Sequence, residues 1–436
     1  MIFLPQKVVS SWDTWIFWNE GVYYLYYLAG AMGHWDGFGL AVSMDGVNFT
    51  DHGQVLFASD EMTLYLGTGS VWRSPLCGEA EVFYCNYSEG RKCPDGSKEQ
   101  RIFFAKSKDL RSWTKMDKIT EFVCDRRWYV SDDAEGGRWD CIFTLPKPGG
   151  GLYGYFTAKP KEYTGFGMAE SDDGCHWSAL PPPRLELADC GLEIDIRDVE
   201  LGAVTEYDGR YYCLLGIGPG LAGMVVAVGH TPAGPFYPQT ENFFLQTNKY
   251  SSNAYFMRFF ETPEGLFVNH HSVAREKSAL GYEKIYLAPI KKVEFDPDGI
   301  LWLRWWSSNE LLKGREINDF SGKLQHNGFI IEALFEQEAS LRLNLQNGDL
   351  FIISVDAGGT VRYLHEQADG NVYEKESCRW VSRSSKSHLI RLLVRESLTE
   401  LYICDNFIND VTAPDSCRAF SGGGGISDIR LWELNC

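Results

Sequence analysis

The sequence lacks the features that mark membrane and nucleic-acid-binding proteins. No apolar run approaches the ~20 residues that are needed to cross a bilayer, and Lys and Arg form no block. Basic residues number 41 against 59 acidic ones, so the formal net charge is −18. Because nucleic acids and anionic lipids bind to basic surfaces, neither is an expected partner.

Metal and redox motifs are missing as well. The twelve cysteines are scattered without a Cys-x-x-Cys pair, and no group of histidines accompanies them. The sequence therefore predicts neither a zinc site nor a thioredoxin-like motif, and we expect no metal and no cofactor. The first residues show no signal-peptide pattern, so we expect reduced thiols and a cytoplasmic location.

Aromatic residues, in contrast, are plentiful: 14 Trp, 22 Tyr and 26 Phe. Such residues fill β-rich cores, and they also form the surfaces on which sugar rings stack. No segment of the first three hundred residues has a sustained helical period, whereas short runs of β-forming residues recur between turn residues. The composition and the periodicity indicate an all-β fold.

One segment recurs five times in those three hundred residues. It consists of a small residue in an apolar strand, a polar turn and then an aromatic residue, as in 40–49, 104–113 and 168–177, with weaker copies at 226–236 and 287–295. The aligned small residues are Ala41, Ala105, Ala169, Ala227 and Ala288, at steps of 64, 64, 58 and 61 residues. A period near sixty suits four antiparallel strands with their loops, so five copies predict a five-bladed β-propeller.

The pattern changes after about residue 312. Short strands separated by Asn-Gly and Gly-rich turns follow one another without helices, which is typical of a β-sandwich. We therefore predict a propeller domain at 1–312 and a C-terminal β-sandwich at 313–436. The sandwich is a candidate surface for the formation of a homo-oligomer.

Three acidic residues stand at the heads of strands that we expect to open blades one, three and four: Asp13, Asp140 and Glu200. The innermost strands of a propeller converge on one funnel, so these side chains are expected to meet. Glycoside hydrolysis needs two carboxylates that flank the scissile bond, and a third can stabilise the charge of the transition state. Asp198 precedes Glu200 by two residues and shares its strand face, so it stays a further candidate.

Polar and aromatic residues near these acids are candidates for contact with a sugar, although a single Trp or His is more often part of a core. The candidates are Trp12, Trp35, Ser70, Trp72, Arg138, Trp139, His270 and His271. His270 and His271 are neighbours on a strand and point in opposite directions, so we expect one of them to face the funnel.

Several motifs resemble those of glycoside hydrolase family 32, the family of invertases, levanases and inulinases. Trp12-Asp13 resembles its opening motif, 67–71 its Gly-Ser motif, and Arg138-Trp-Asp140 its Arg-Asp-Pro motif with one residue inserted. Glu200 stands where that family has a Glu-Cys pair, and 388–405 is similar to part of its C-terminal sandwich.

The resemblance implies that Asp13 is the nucleophile, Asp140 the transition-state stabiliser and Glu200 the general acid/base. The prolines that follow the family's two aspartates are replaced here by Thr14 and Cys141. The leading hypothesis is a retaining, exo-acting β-fructofuranosidase that cleaves short fructo-oligosaccharides. The alternatives are an inverting arabinofuranosidase or xylosidase of the family 43 type and a non-catalytic carbohydrate-binding propeller.

Overall fold

The fold is known from a computed structural model. It describes residues 2–31, 34–58, 63–76, 81–131, 133–187, 198–218, 222–248, 254–318, 328–356, 358–381 and 387–435. In these residues the secondary structure is almost entirely β, with short 3-10 helices at Lys118–Thr120, Asp133–Glu135 and Ser307–Leu312. No helix in this part of the chain has the length and apolar character that spanning a bilayer requires.

The first four repeats form four separate antiparallel sheets. The first contains β1 (Ser10–Asn19), β2 (Val22–Ala31), β3 (His34–Ser43) and β4 (Thr50–Phe57). The second contains β5 (Thr63–Arg73), β6 (Phe83–Lys92), β7 (Lys98–Ser107) and β8 (Thr114–Lys115). The third contains β9 (Tyr129–Val130), β10 (Trp139–Pro146), β11 (Leu152–Pro160), β12 (Gly167–Ser171) and β13 (Ser178–Leu180). The fourth contains β14 (Asp198–Tyr207), β15 (Arg210–Gly218), β16 (Ala222–Gly229), β17 (Phe236–Pro238) and β18 (Phe244–Asn248).

All remaining strands belong to one curled sheet of fourteen strands. The strands of the fifth repeat are β19 (Ala254–Thr262), β20 (Gly265–Lys277), β21 (Glu283–Leu287), β22 (Lys291–Phe295) and β23 (Leu301–Trp305). The C-terminal strands are β24 (Lys313–Glu316), β25 (Gly328–Leu345), β26 (Leu350–Val355), β27 (Thr360–Glu366), β28 (Val372–Arg379), β29 (His388–Arg395), β30 (Leu398–Ile403), β31 (Asn406–Thr412) and β32 (Cys417–Leu434).

The predicted fifth blade is therefore not a separate sheet. Strand β23 is paired with β31 through one residue pair, Arg304 with Asn406. Next to this pair, the Trp305 amide donates to Asp405 O at 2.7 Å. This long-range pairing merges the fifth group of strands with the C-terminal sheet. Sequence periodicity cannot reveal it, because the two strands are a hundred residues apart.

One strand from each of the five repeats, the innermost, contacts the next in a closed ring, in the order β1, β5, β10, β14, β19 and back to β1. The first residues of the described chain pair with β21 of the fifth repeat. The Ile2 amide donates to Leu287 O, and the Leu287 amide donates to Phe3 O, each at 2.8 Å. Ile2 and Phe3 are buried in the core that also holds Leu287, so the N-terminal residues fasten the first repeat to the fifth.

The five repeated alanines explain how each group of strands is built. All five are fully buried, and the first four lie on β3, β7, β12 and β16, each the third strand counted outward from the ring axis. Ala41 is paired with Leu25 and Ala227 with Cys213 on the middle strand, and the Ala288 amide donates to His270 O. A small residue here lets the large side chains of neighbouring sheets approach.

The polar turn of the repeat has its own chemistry. Ser43 Oγ donates to Asp45 Oδ1 at 2.9 Å, and the same oxygen accepts the amides of Val47 and Asn48 at 2.9 and 2.7 Å. The pattern is repeated at Ser107 with Asp109 and at Ser171 with Asp173. These bonds to the charged carboxylates hold the pKa of all three aspartates below its usual value.

Apolar clusters lie between adjacent sheets rather than in one central core. One joins the first and second sheets, one the second and third, and one the third and fourth. A larger cluster joins the first, fourth and fifth groups to the C-terminal strands, which also enclose a core of their own. This arrangement leaves the ring axis to polar side chains.

Candidate active site

Each strand of the inner ring has an irregular register near one end. The shifts lie between Trp12 and Thr14, Gly67 and Ser70, Asp140 and Phe143, Leu201 and Ala203, and Tyr255 and Arg258. A bulge bends its strand and redirects the side chains next to it. Five such bulges around one axis gather side chains from five strands into a single site.

Asp13 lies in the bulge of β1 and has a positive φ of 26°, which is rare for a residue other than glycine. Thr68 Oγ1 donates to its Oδ2, whereas no described residue hydrogen-bonds its Oδ1. Burial, with a smaller contribution from the charges of Glu200 and Asp140, raises the pKa of Asp13 to about 7. Asp13 therefore has a strained backbone and a buried carboxyl, one oxygen of which has no hydrogen-bond partner among the described residues.

Asp140 begins the irregular part of β10 and is also buried. Ser88 Oγ donates to its Oδ1, and Gln100 Nε2 lies 3.4 Å from its Oδ2. Burial raises the pKa of Asp140, although the Arg138 guanidinium opposes this effect. A Cβ on Gly67 would come within 2.6 Å of Asp140 Oδ1, so this glycine leaves the room that the carboxyl needs.

Glu200 is the most accessible of the three acids, with 28% of its side chain exposed against 13% for Asp13 and 10% for Asp140. Arg138 joins it to Asp140: Nη1 donates to Glu200 Oε1 at 2.8 Å, and Nη2 lies 3.5 Å from Asp140 Oδ2. Tyr255 is hydrogen-bonded to Glu200, and burial together with the charge of Glu200 raises the pKa of its hydroxyl. The structure thus brings the three predicted acids together.

An aromatic wall stands beside Asp13. The rings of Trp12 and Trp35 are nearly parallel with centroids 6.4 Å apart, and Trp12 also lies 4.6 Å from the ring of His271. His271 Nδ1 is 3.8 Å from Asp13 Oδ1, and burial lowers the pKa of this imidazole to about 3. A neutral imidazole therefore adjoins the carboxyl, and the Trp12 indole lies between that imidazole and the buried ring of Trp35.

Other candidate residues lie away from the acids or are held by the backbone. The indole N–H groups of Trp72 and Trp139 are donated to Gly174 O and Phe122 O, and both rings belong to the core between the second and third sheets. Ser70 Oγ donates to Ile142 O and so links β5 to β10. His270 faces away from the site, toward Lys291.

One candidate lies partly outside the described residues. Asp198 begins β14, but its side chain lies outside the described part of the structure. The remaining site residues were not predicted from the sequence: Thr68, Ser88, Gln100, Tyr255 and Arg258. Thr68 lies within the Gly-Ser motif, and Arg258 is a lone charge in an apolar strand, so both carried a signal.

The arrangement suits acid/base chemistry on a neutral, polar ligand. It offers two buried carboxyls, a third that is accessible and tied to an arginine, and an aromatic surface. Two carboxylic groups in different environments can take different protonation states at one pH, which is the requirement for an acid and a nucleophile or base in one site.

The fold is shared with solved structures over nearly the whole chain. One is the sucrose-6-phosphate hydrolase from Lactobacillus gasseri, with a TM-score of 0.72, 14% identity and coverage of 100% of this chain and 93% of that one. A second is fructan 1-exohydrolase IIa from Cichorium intybus in complex with 1-kestose, with a TM-score of 0.69, 13% identity and coverage of 99% and 96%. A third is the β-fructofuranosidase of Aspergillus kawachii complexed with glycerol, at 0.67, 11%, 99% and 92%.

No protein-family profile matches the sequence, and no curated protein matches it either. At 11 to 14% identity the structural likeness establishes the fold, whereas the chemistry depends on the residues of the site.

Proposed function

We propose that this protein is a glycoside hydrolase that cleaves furanosides, with Asp13 as nucleophile, Glu200 as general acid/base and Asp140 as stabiliser of the transition state. The observation that carries the proposal is the convergence of the three acids, which Arg138 ties together by its contacts with Asp140 and Glu200. Ionised Asp13 attacks the anomeric carbon while Glu200 protonates the leaving oxygen. Glu200 then acts as base and takes a proton from a water molecule, which attacks the anomeric carbon and releases the sugar from Asp13.

The accessibility of the acids supports these roles. Glu200 is the most exposed of the three. A general acid/base needs this access, because it meets the leaving group first and a water molecule later. Asp13 has one carboxylate oxygen without a partner among the described residues, which leaves a lone pair for bond formation. Asp140 is held by Ser88 and lies against Arg138, so it suits a fixed charge.

Fructose is the proposed sugar, and short fructo-oligosaccharides cut from one end are the proposed substrates. The support is the fold shared with enzymes named for fructan, sucrose-phosphate and fructofuranoside cleavage, one of them holding 1-kestose. Trp12, which is partly exposed, offers a surface for the sugar face, and the buried Trp35 stacks behind it in the core between the first and second sheets.

The proposal includes a five-bladed propeller at 1–312 followed by a β-sandwich at 313–436. It is supported by the closed ring of five innermost strands, by a bulge in each of them, and by the five buried alanines. Only one residue pair joins β23 to β31, so the strand pairing between the two groups is short and most of their contact is through side chains.

The test is incubation with sucrose, 1-kestose, inulin and levan, with chromatography of released fructose and Asp13→Asn as the control. We expect fructose from the short substrates, and NMR of the first product is expected to show the retained anomer. Absence of fructose from all four would refute the substrate. Release of arabinose or xylose from aryl glycosides with inversion would instead favour the family 43 type, and binding without cleavage would favour a carbohydrate-binding propeller.

A further inference from the structure

Arg258 is an unusual residue of the inner ring, because it is a buried cation without matched hydrogen bonds. It follows the bulge of β19 and is 1% exposed. Its guanidinium carbon lies 4.4 Å from the centre of the Phe256 ring, and Nη2 donates to the thiol sulfur of Cys141. Nε and Nη1 have no partner among the described residues.

A thiol sulfur is only a weak acceptor, and an aromatic face offsets a small part of a buried charge. An isolated buried cation is strongly unfavourable unless opposite charges stand nearby. Arg258 has two of them, since its positive charge acts on both Asp13 and Asp140 and lowers the pKa of each against the effect of burial.

The charges around Asp13 can be counted from the described residues. The titratable groups that face it or its neighbour Asp140 are Arg138, Asp140, Cys141, Glu200, Tyr255, Arg258 and His271. Burial keeps the Cys141 thiol, the Tyr255 hydroxyl and the His271 ring neutral, because it raises the first two pKa values and lowers the third.

Two guanidinium groups therefore stand against three carboxyls. Arg138 contacts Asp140 and Glu200, which leaves Arg258 as the counter-charge for Asp13. The ring therefore holds fewer guanidinium groups than carboxyls, and Arg258 makes no ion-pair contact of its own among the described residues, where its Nε and Nη1 have no partner.

We propose that Arg258 is a positioning residue that keeps Asp13 ionised through its charge alone, without a hydrogen bond to it. The inference rests on the proposed function, because it assigns to Asp13 the role of nucleophile. Without Arg258, Asp13 retains its proton at neutral pH and does not attack.

The first test compares Arg258→Met with Arg258→Lys in the full-length protein. Removal of an opposite charge at close range raises the pKa of a carboxyl by about 1 to 3 units. The acidic limb of the pH profile of kcat/KM is therefore expected to move upward by about 1 to 3 pH units in the Met variant, and by less than about half a unit in the Lys variant. A folded Met variant whose limb has not moved overturns the inference.

The second test does not need activity, so it separates this inference from the proposed function. In protein labelled with carbon-13 at aspartate carboxyls, the resonance that is absent from Asp13→Asn reports Asp13. Its titration midpoint is expected to rise in Arg258→Met and to stay close to the wild-type value in Arg258→Lys. If the wild-type protein cleaves no sugar but this midpoint still rises, the function is refuted and the electrostatic role stands.

Unfolding measurements cover the case in which Arg258→Met does not fold. Combining it with Asp13→Asn removes both charges, so the double variant is expected to be more stable than Arg258→Met. Equal or lower stability of the double variant contradicts the inference. Failure of Arg258→Lys to fold contradicts it too, because shape rather than charge would then be required.

Discussion

Two buried charged clusters stand on opposite sides of β20 and differ in how completely their polar groups are matched. At the junction with the C-terminal strands, Lys291 Nζ contacts His270 Nε2 and Pro289 O at 2.7 Å and Glu400 Oε2 at 2.9 Å. An ammonium has three hydrogens, and all three have acceptors. In the ring, Arg258, Asp13 and His271 each keep a polar atom without a partner among the described residues.

The comparison shows how one strand separates structure from function. His270 belongs to the junction and His271 to the ring, because neighbouring side chains of a strand point in opposite directions. His270, Glu400 and Asp410 lie close enough together to be metal ligands, but the Lys291 ammonium already supplies the cation there. The cation of the junction is fully matched, although Asp410 Oδ1 beside it has no partner among the described residues. In the ring an acid, an arginine and a histidine all keep such atoms, so the ring retains more capacity to bind a ligand.

The largest effect is expected from breaking the ring cluster at Asp13. Asp13→Asn removes the proposed nucleophile, and kcat is expected to fall on the order of 10⁴-fold or more. Steady-state kinetics on 1-kestose measures the loss, with Asp172→Asn on the exposed surface as control. Retention of more than a tenth of the activity would rule out this role for Asp13.

Breaking the junction cluster is expected to cost stability instead. Lys291→Met leaves Glu400 buried without its cation, which lowers the free energy of unfolding by about 3 to 5 kcal/mol. Lys292→Met, at the adjacent and partly exposed position, is the matched control and is expected to cost less than about 0.5 kcal/mol. Denaturant unfolding measures both, and equal losses would remove the basis of the comparison.

The pH dependence of activity sharpens the comparison from the ring side. Asp13 must be ionised to attack, and its pKa is raised to about 7. Its ionised fraction is therefore about one half at pH 7 and about one hundredth at pH 5, so kcat/KM is expected to drop about fiftyfold between these two pH values. A pH profile from 5 to 9 checks this, and a flat profile over that range would contradict the high pKa.

The smallest effect is expected at the aromatic wall. Trp12→Ala removes a stacking surface, which raises KM by about tenfold with little change in kcat. Trp139→Phe is the control, because that indole is part of the core; it is expected to lower stability by about 1 kcal/mol and leave KM unchanged. The reverse outcome would exchange the roles of the two tryptophans.

Much of the fold was predictable because each repeat carries its own local signal. The alanines mark a position where a larger side chain does not fit, and the turn of Ser43 with Asp45 needs only neighbouring residues. The merging of β23 with β31 was not predictable, since the Arg304 and Asn406 pair leaves no trace in the periodicity. Pairing between strands that are far apart in the sequence is determined only when the whole chain has folded.

The residues of the site also differ in whether the sequence could predict them. The meeting of Asp13, Asp140 and Glu200 could be predicted, because each acid stands at the head of an apolar strand and such strands converge in a ring. Trp139, a candidate for sugar contact because it is next to Asp140 in the sequence, lies in the core instead. Composition does not distinguish an aromatic ring in a core from one in a binding site. Arg258 acts through charge at a distance from its own repeat, and such a role is readable only from the assembled ring.

The pairing of Ile2 and Phe3 with Leu287 sets an order of events during synthesis. At about 5 to 20 residues per second, the ribosome needs roughly 15 to 60 seconds after making residue 3 before residue 287 exists. During that interval the first sheet has no partner on one side and exposes apolar surface. The protein is therefore expected to depend on chaperones while it is translated, and to become resistant to proteases only once its fifth repeat has emerged.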